Sequence, residues 1–156
     1  MKNIMLVFCF GVIALFACLS KKDNLSKNNI PVSLNGTWQL VTAKVIEKGD
    51  TLVTDYTKNI SFIKIINATH FSFLQHDKNR GKDSAALFVA GGGRYTLNDS
   101  TYTEILEYCS SRNWEGNDFK FTVHIINDTL IQSGVEKVAG AGVDRINIEK
   151  YVHVKN

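Results

Sequence analysis

Proline occurs once in these 156 residues, at position 31, and cysteine three times, at 9, 18 and 109. With Cys109 as the sole thiol beyond residue 18, no intramolecular disulfide framework can staple the body of the chain, so a packed core has to hold it. No apolar run reaches the roughly 20 residues that a membrane-spanning helix needs. The longest, IMLVFCFGVIALF at 4–16, stops well short. His70, His76, His124 and His153 stand apart, and no spacing among them suits zinc. Net charge is scarce as well. The chain carries +3, but Lys2 and the lysine-rich residues 21–27 account for all of it, leaving everything from Asn28 onward neutral. A neutral domain lacks the concentrated basic surface that nucleic acid demands, so no nucleic-acid partner is expected. AGGGRY and VAGAGVD are glycine-rich, yet neither has the helix and Lys-Ser/Thr of a phosphate loop. No Ser-His-Asp or Cys-His pairing stands out. No catalytic residue, metal or cofactor is assigned, and the chain reads as a non-enzyme.

What is present begins at the N-terminus. Met1-Lys2-Asn3 is a short basic segment, and residues 4–16 have the length and flanks of a secretory h-region. A buried helix or a short membrane anchor is the alternative. LFACLS, at the end of the run, resembles the lipobox of bacterial lipoproteins, with Leu15 three residues before Cys18 and the small Ala17 directly before it. Phe16 departs from the small or β-branched residue usual there. The resemblance implies that 1–17 is a lipoprotein signal peptide and that Cys18 becomes the lipidated first residue. Several acyl chains together make such a membrane anchor stable. Cys9 then leaves with the signal, and the implied location is the bacterial cell envelope, at the outer membrane. CLSKKDNLSKNNIPVS has too few apolar residues for a core. Residues 18–33 are therefore expected to be a lipidated flexible tether, and 34–156 the folded domain.

Beyond Pro31 the apolar residues recur with period two, the mark of β-strands. TWQLVTAKVI, TLVTDY, ISFIKII, HFSFLQ, ALFVAGGGRYTL, TYTEILEYC, FKFTVHII, TLIQSGV and RINIEKYVHVK are separated by short polar turns such as NAT, NDS and ND. A short helix has room only near 56–60 or 110–115. In FKFTVHI, Phe119, Phe121, Val123 and Ile125 share a face; in the last segment Ile146, Ile148, Val152 and Val154 line up. One-sided strands need a second apolar surface. A regular meander meets that need by curling and closing, which also removes its edges. The expected fold is all-β: an antiparallel up-and-down β-barrel of eight to ten strands. A two-sheet sandwich is the competitor.

Gly36-Thr37-Trp38 resembles the G-x-W signature on the first strand of lipocalins. GGGRYTLNDSTYTEILEY, FKFTVHIINDTLIQSG and IEKYVHVK are similar to the hairpins and last strand of small lipocalin-like lipoproteins from Bacteroides-type bacteria. The resemblance covers most of 34–155 and implies a calycin-type barrel in the envelope rather than a reaction. It also implies that Trp38 closes one end, beneath a cation from the last strand: Arg145, Lys150 or Lys155. Some barrels of this general shape hold haem through one histidine, an alternative left open. Asp50-Thr51-Leu52, Asp83-Ser84-Ala85 and Asp128-Thr129-Leu130 resemble Bacteroides-type O-glycosylation acceptors, although turns select the same residues.

The barrel then suggests a ligand. A small, mostly apolar molecule is expected inside, lined by Phe71, Phe73, Phe119 and Phe121. Tyr102, Glu104, Leu106 and Tyr108 share a face, so Glu104 is either a polar anchor among aromatics or, paired with Arg94, an outside ion pair. Cys109 is either a reactive thiol or a half-buried residue at a strand end. The second functional expectation is a filled barrel that meets an envelope partner through HDKNRGKDS and SSRNWEGN, the latter exposing Trp114.

Overall fold

The computed structural model describes residues 33–82, 84 and 86–155. The expected signal peptide, Cys18, the tether up to residue 32, and residues 83 and 85 of one glycosylation acceptor lie outside these. The alternating segments form nine strands: β1 (Gly36–Glu47), β2 (Asp50–Asp55), β3 (Ile60–Ile66), β4 (His70–Asp77), β5 (Phe88–Asn98), β6 (Thr101–Cys109), β7 (Asp118–Ile126), β8 (Thr129–Val138) and β9 (Val143–His153). From β3 to β9 each strand pairs antiparallel with the next, and β9 pairs back onto β1. The first residues of β1 pair with β3, which closes a ring of eight strands. The fold is a closed antiparallel up-and-down barrel, lipocalin-like, and not a sandwich. β2 pairs with the second half of β1 on the side that β3 uses for the first half. The two strands thus share one station in the ring, interrupted by the turn at 56–59.

The long connections gather at one end, which also carries the two-residue β1–β2 turn at Lys48-Gly49. The longer loops are 78–87 and 110–117, the latter holding a 3-10 turn at Arg112–Trp114. At the other end lie tight turns, among them Asn127-Asp128, where both residues have positive φ, as a two-residue type I′ hairpin requires. The glycine-rich segment near the C-terminus supplies the loop between β8 and β9 at 139–142, and its flanking residues belong to the two strands.

The tight-turn end is plugged. Trp38 is 3% exposed, and its indole N–H donates to the Leu34 carbonyl at 2.8 Å. Leu34, Leu40, Ile66, Phe71, Tyr102, Val123 and Leu130 are buried in the same apolar core. The residue against the tryptophan is His153, edge-on at 4.9 Å between ring centroids. None of the three expected cations takes that place. Arg145 is far along β9 beside Glu136, Lys155 pairs with Asp128, and Lys150 is exposed. Gly36 has a φ of 142°, and a Cβ there would overlap the His153 ring. Its glycine therefore serves both the entry into β1 and the close approach of β9.

Two register slips change which residues point inward. β1 slips against β9 between Leu40 and Thr42, so the inward set passes from Trp38 and Leu40 to Ala43 and Val45. β5 slips against β6 between Gly92 and Gly93. There a Cβ on Gly93 would overlap the Ile105 carbonyl, which accounts for the glycine run as the site of a bulge. The slip turns Cys109 inward and leaves Tyr108 69% exposed, so Tyr108 does not share the face of Tyr102 and Glu104. β9 reverses the expectation outright: Ile146, Val152 and Val154 are exposed, while Arg145, Asn147, Glu149 and Tyr151 line the interior. β-Branched residues suit a strand on either face, so the apolar phase alone did not identify the inner one.

Trp38→Ala should cost about 3–5 kcal/mol in urea unfolding, as expected for a fully packed tryptophan. Gly36→Ala should destabilise the wild-type barrel, and its cost should shrink in a His153→Ala background, because the clash and its partner are then removed together.

Candidate functional site

Away from the plug the side chains stop filling the lumen. A cavity of about 400 Å³ lies there, reaching the long-loop end between β2 and the 110–117 loop. One wall is Tyr56, Phe62 and Phe73, with the two phenylalanine rings stacked at 5.8 Å and Tyr56 edge-on to Phe62 at 6.0 Å. The opposite wall is Trp114, Phe119 and Phe121, with neighbouring rings 5.8 and 6.5 Å apart.

The floor is charged. Lys64 is 3% exposed; it projects from β3 across the lumen and donates to Glu104 Oε1 of β6 at 2.7 Å and Gln132 Oε1 of β8 at 3.1 Å. Its ammonium also lies within 6 Å of the centroids of Phe71, Tyr102 and Tyr151, inside the range of cation–π attraction. Burial pulls this ammonium down, but Glu104, with Glu149 and Glu136 behind it, outweighs that and holds it above its ordinary value. Gln132 relays the network: its oxygen accepts from Lys64 and its Nε2 donates to Glu149 Oε2 at 3.2 Å. Glu149 Oε2 also accepts from the Tyr151 hydroxyl at 2.8 Å. Burial pushes the Glu149 carboxyl up, against the opposing pull of Lys64. Burial, then the neighbouring carboxylates, raise the Tyr102 and Tyr151 phenols too.

A second pair stands nearer the mouth. Arg145 Nε donates to Glu136 Oε2 at 2.6 Å, and its guanidinium lies 5.5 Å from the Trp114 ring centroid. Asn147 Nδ2 donates to Glu136 Oε1 at 2.9 Å. These partners are what make buried charge tolerable in a barrel interior.

Of the residues expected to meet a ligand, Phe73, Glu104, Phe119 and Phe121 line the cavity, while Phe71 and Tyr102 pack on each other beneath it. Glu104 faces inward, and its partner is Lys64. Arg94 pairs instead with Glu107 on the outside, at 2.7 Å. Trp114 is turned onto Phe119 rather than fully exposed. Cys109 is buried and lines the cavity. β8 separates β7, which carries His124, from β9, which carries His153. Sequence reasoning missed Lys64, Gln132, Glu136, Arg145, Asn147 and Glu149. The signal was phase: Lys64 shares a strand face with Phe62 and Ile66, Gln132 with Leu130, and Glu149 with Tyr151.

No protein-family model and no curated protein matches this chain, so the site is read from its own geometry.

Lys64→Met leaves Glu104 buried without its ammonium and should cost about 3–5 kcal/mol in urea unfolding. Lys64→Met combined with Glu104→Leu should cost clearly less than the single change. Alkali should expose the same network. Lys64, Tyr102 and Tyr151 hold their protons to higher pH in the folded state than their ordinary 10.5, 10.0 and 10.0. From about pH 10 upward the unfolded chain therefore releases protons first, and stability falls as pH rises. Urea midpoints across pH 8–12 should show this fall, and Lys64→Met should flatten it.

Proposed function

We propose that this chain is a lipid-anchored, lipocalin-like binding protein of the bacterial cell envelope that takes a small, largely apolar molecule into its barrel. The observation that carries the reading is the hollow upper half of the lumen. Six aromatic rings wall a cavity of about 400 Å³, of the size and character of small-molecule sites. The lower half of the same barrel is packed solid, so the fold has the means to fill itself and leaves this part open. The reading is binding rather than catalysis: Lys64 is paired with Glu104 and Arg145 with Glu136, and these two pairs hold the floor in place. The anchor belongs to residues 1–18 and rests on the lipobox resemblance. The other reading, a filled barrel that meets a partner through the 110–117 loop, has less support, because Trp114 packs inward on Phe119 and Arg145.

Native mass spectrometry of the full chain purified from its host should recover a co-purifying small molecule. Phe73→Arg, which places a bulky cation at a partly buried position of the aromatic wall, should abolish it while leaving the fold intact by circular dichroism. Recovery of none, with no uptake of the neutral apolar dye N-phenyl-1-naphthylamine, would overturn the binding reading. Cys18→Ala should release the protein from the membrane fraction and end lipid labelling. Persistence at the membrane would remove the anchor.

A further inference from the structure

The charged groups on the cavity wall do not balance. Three carboxylates, Glu104, Glu136 and Glu149, face two cations, Lys64 and Arg145. Lys64 is committed to Glu104 at 2.7 Å and Arg145 to Glu136 at 2.6 Å. Glu149 is left with neutral donors only, the Tyr151 hydroxyl and the Gln132 amide, and both bind the same oxygen, Oε2. No described residue donates to its Oε1. Gln132 cannot turn to help, because its oxygen is held by Lys64.

Asn147 adds an independent vacancy for a donor. It is 5% exposed, lines the cavity and gives its Nδ2 to Glu136. Its Oδ1 is buried and accepts from no partner. Turning the amide over would set that oxygen against the Glu136 carboxylate, so the orientation is fixed. A buried acceptor without a donor is costly unless something supplies one. Asn147 and Glu149 are two residues apart on β9 and both point inward. Their backbone positions are about 6.6 Å apart along the strand, close enough for one small group to meet both side chains.

We propose that the cavity receives an organic amine in its protonated form, its ammonium held by Glu149 Oε1 and Asn147 Oδ1 and its apolar body lying between the aromatic walls. This rests on the reading that the cavity binds a small molecule, and it names the class. An ammonium supplies the missing positive charge and several N–H donors at one point, which suits two acceptors on the same strand. A neutral apolar molecule would leave both acceptors dry, and an anion would meet Glu149 with like charge.

The test compares three compounds with one indole body: tryptamine, the alcohol tryptophol and the acid indole-3-propionate. Each is titrated calorimetrically into the full-length protein at pH 7. Tryptamine should bind at least about tenfold more tightly than tryptophol, the scale of a charge-assisted hydrogen bond, and the acid more weakly than either. Glu149→Gln should bring tryptamine to within about twofold of tryptophol, without weakening tryptophol. The isostere comparison on the unsubstituted chain decides the matter should that variant fail to fold. Tryptophol or the acid binding as tightly as tryptamine would overturn the inference, as would an unchanged preference in folded Glu149→Gln. N-Phenyl-1-naphthylamine separates the two levels. Uptake of the dye with no advantage for tryptamine overturns the amine alone; no uptake of dye or indole overturns the binding reading with it.

Discussion

An ammonium inside a protein must be neutralised where it stands, and in this barrel the strands are set around the place where Lys64 meets Glu104. The two residues come from β3 and β6, which are not neighbours in the sheet, so their contact spans the lumen instead of reinforcing one hairpin. Gln132, from β8, closes the arrangement from a third direction. A slip of one residue in any of these strands would turn its polar side chain to the outside and strand the others. The pair thereby contributes to register as much as to stability. Replacing it with apolar residues of similar volume is the change that buried ion pairs commonly tolerate, whereas removing one member is not.

The same pair divides the barrel into two regions with different packing. Below it, Phe71, Tyr102, Leu130 and Val123 join Trp38 in a solid plug. Above it, the walls are aromatic and the centre is open. The bulges in β1 and β6 govern how the upper region is lined. In β1 the slip replaces the large Trp38 and Leu40 by Ala43 and Val45, smaller side chains that leave volume unfilled. In β6 it brings the small Cys109 inward and sends Tyr108 out. Had alternation continued without a break, a tyrosine would occupy the space near the mouth. The cavity follows from two interruptions in otherwise regular strands.

The barrel itself was legible in the sequence because strand alternation, short turns and the Gly36-Trp38 pair are local signals. FKFTVHII has Phe119, Phe121, Val123 and Ile125 in phase, and β7 points all four inward. The site was less legible, for reasons that are not local. In β9 both phases are acceptable as a strand, and only the interior partners Gln132 and Glu136 decide that Asn147 and Glu149 face in. The pairing of Glu104 with Lys64 crosses 40 positions, while Arg94 stood nearer in sequence and on an adjacent strand. The register slip at Gly92-Gly93 was foreshadowed by the glycine run; the one at Leu40-Thr42 has no comparable sequence mark. His153 over Trp38 was hidden because the resemblance pointed to a cation there.

The barrel thus has a plugged base, a charged floor and an aromatic upper chamber. All of this depends on Lys64 being charged and enclosed. Nitrogen-15 NMR of the Lys64 side chain measures that state directly. A protonated ammonium is expected at pH 9, its hydrogens exchanging slowly with water and showing nuclear Overhauser contacts to the Phe71, Tyr102 and Tyr151 rings. A neutral amine, or an ammonium in rapid exchange without ring contacts, would contradict it.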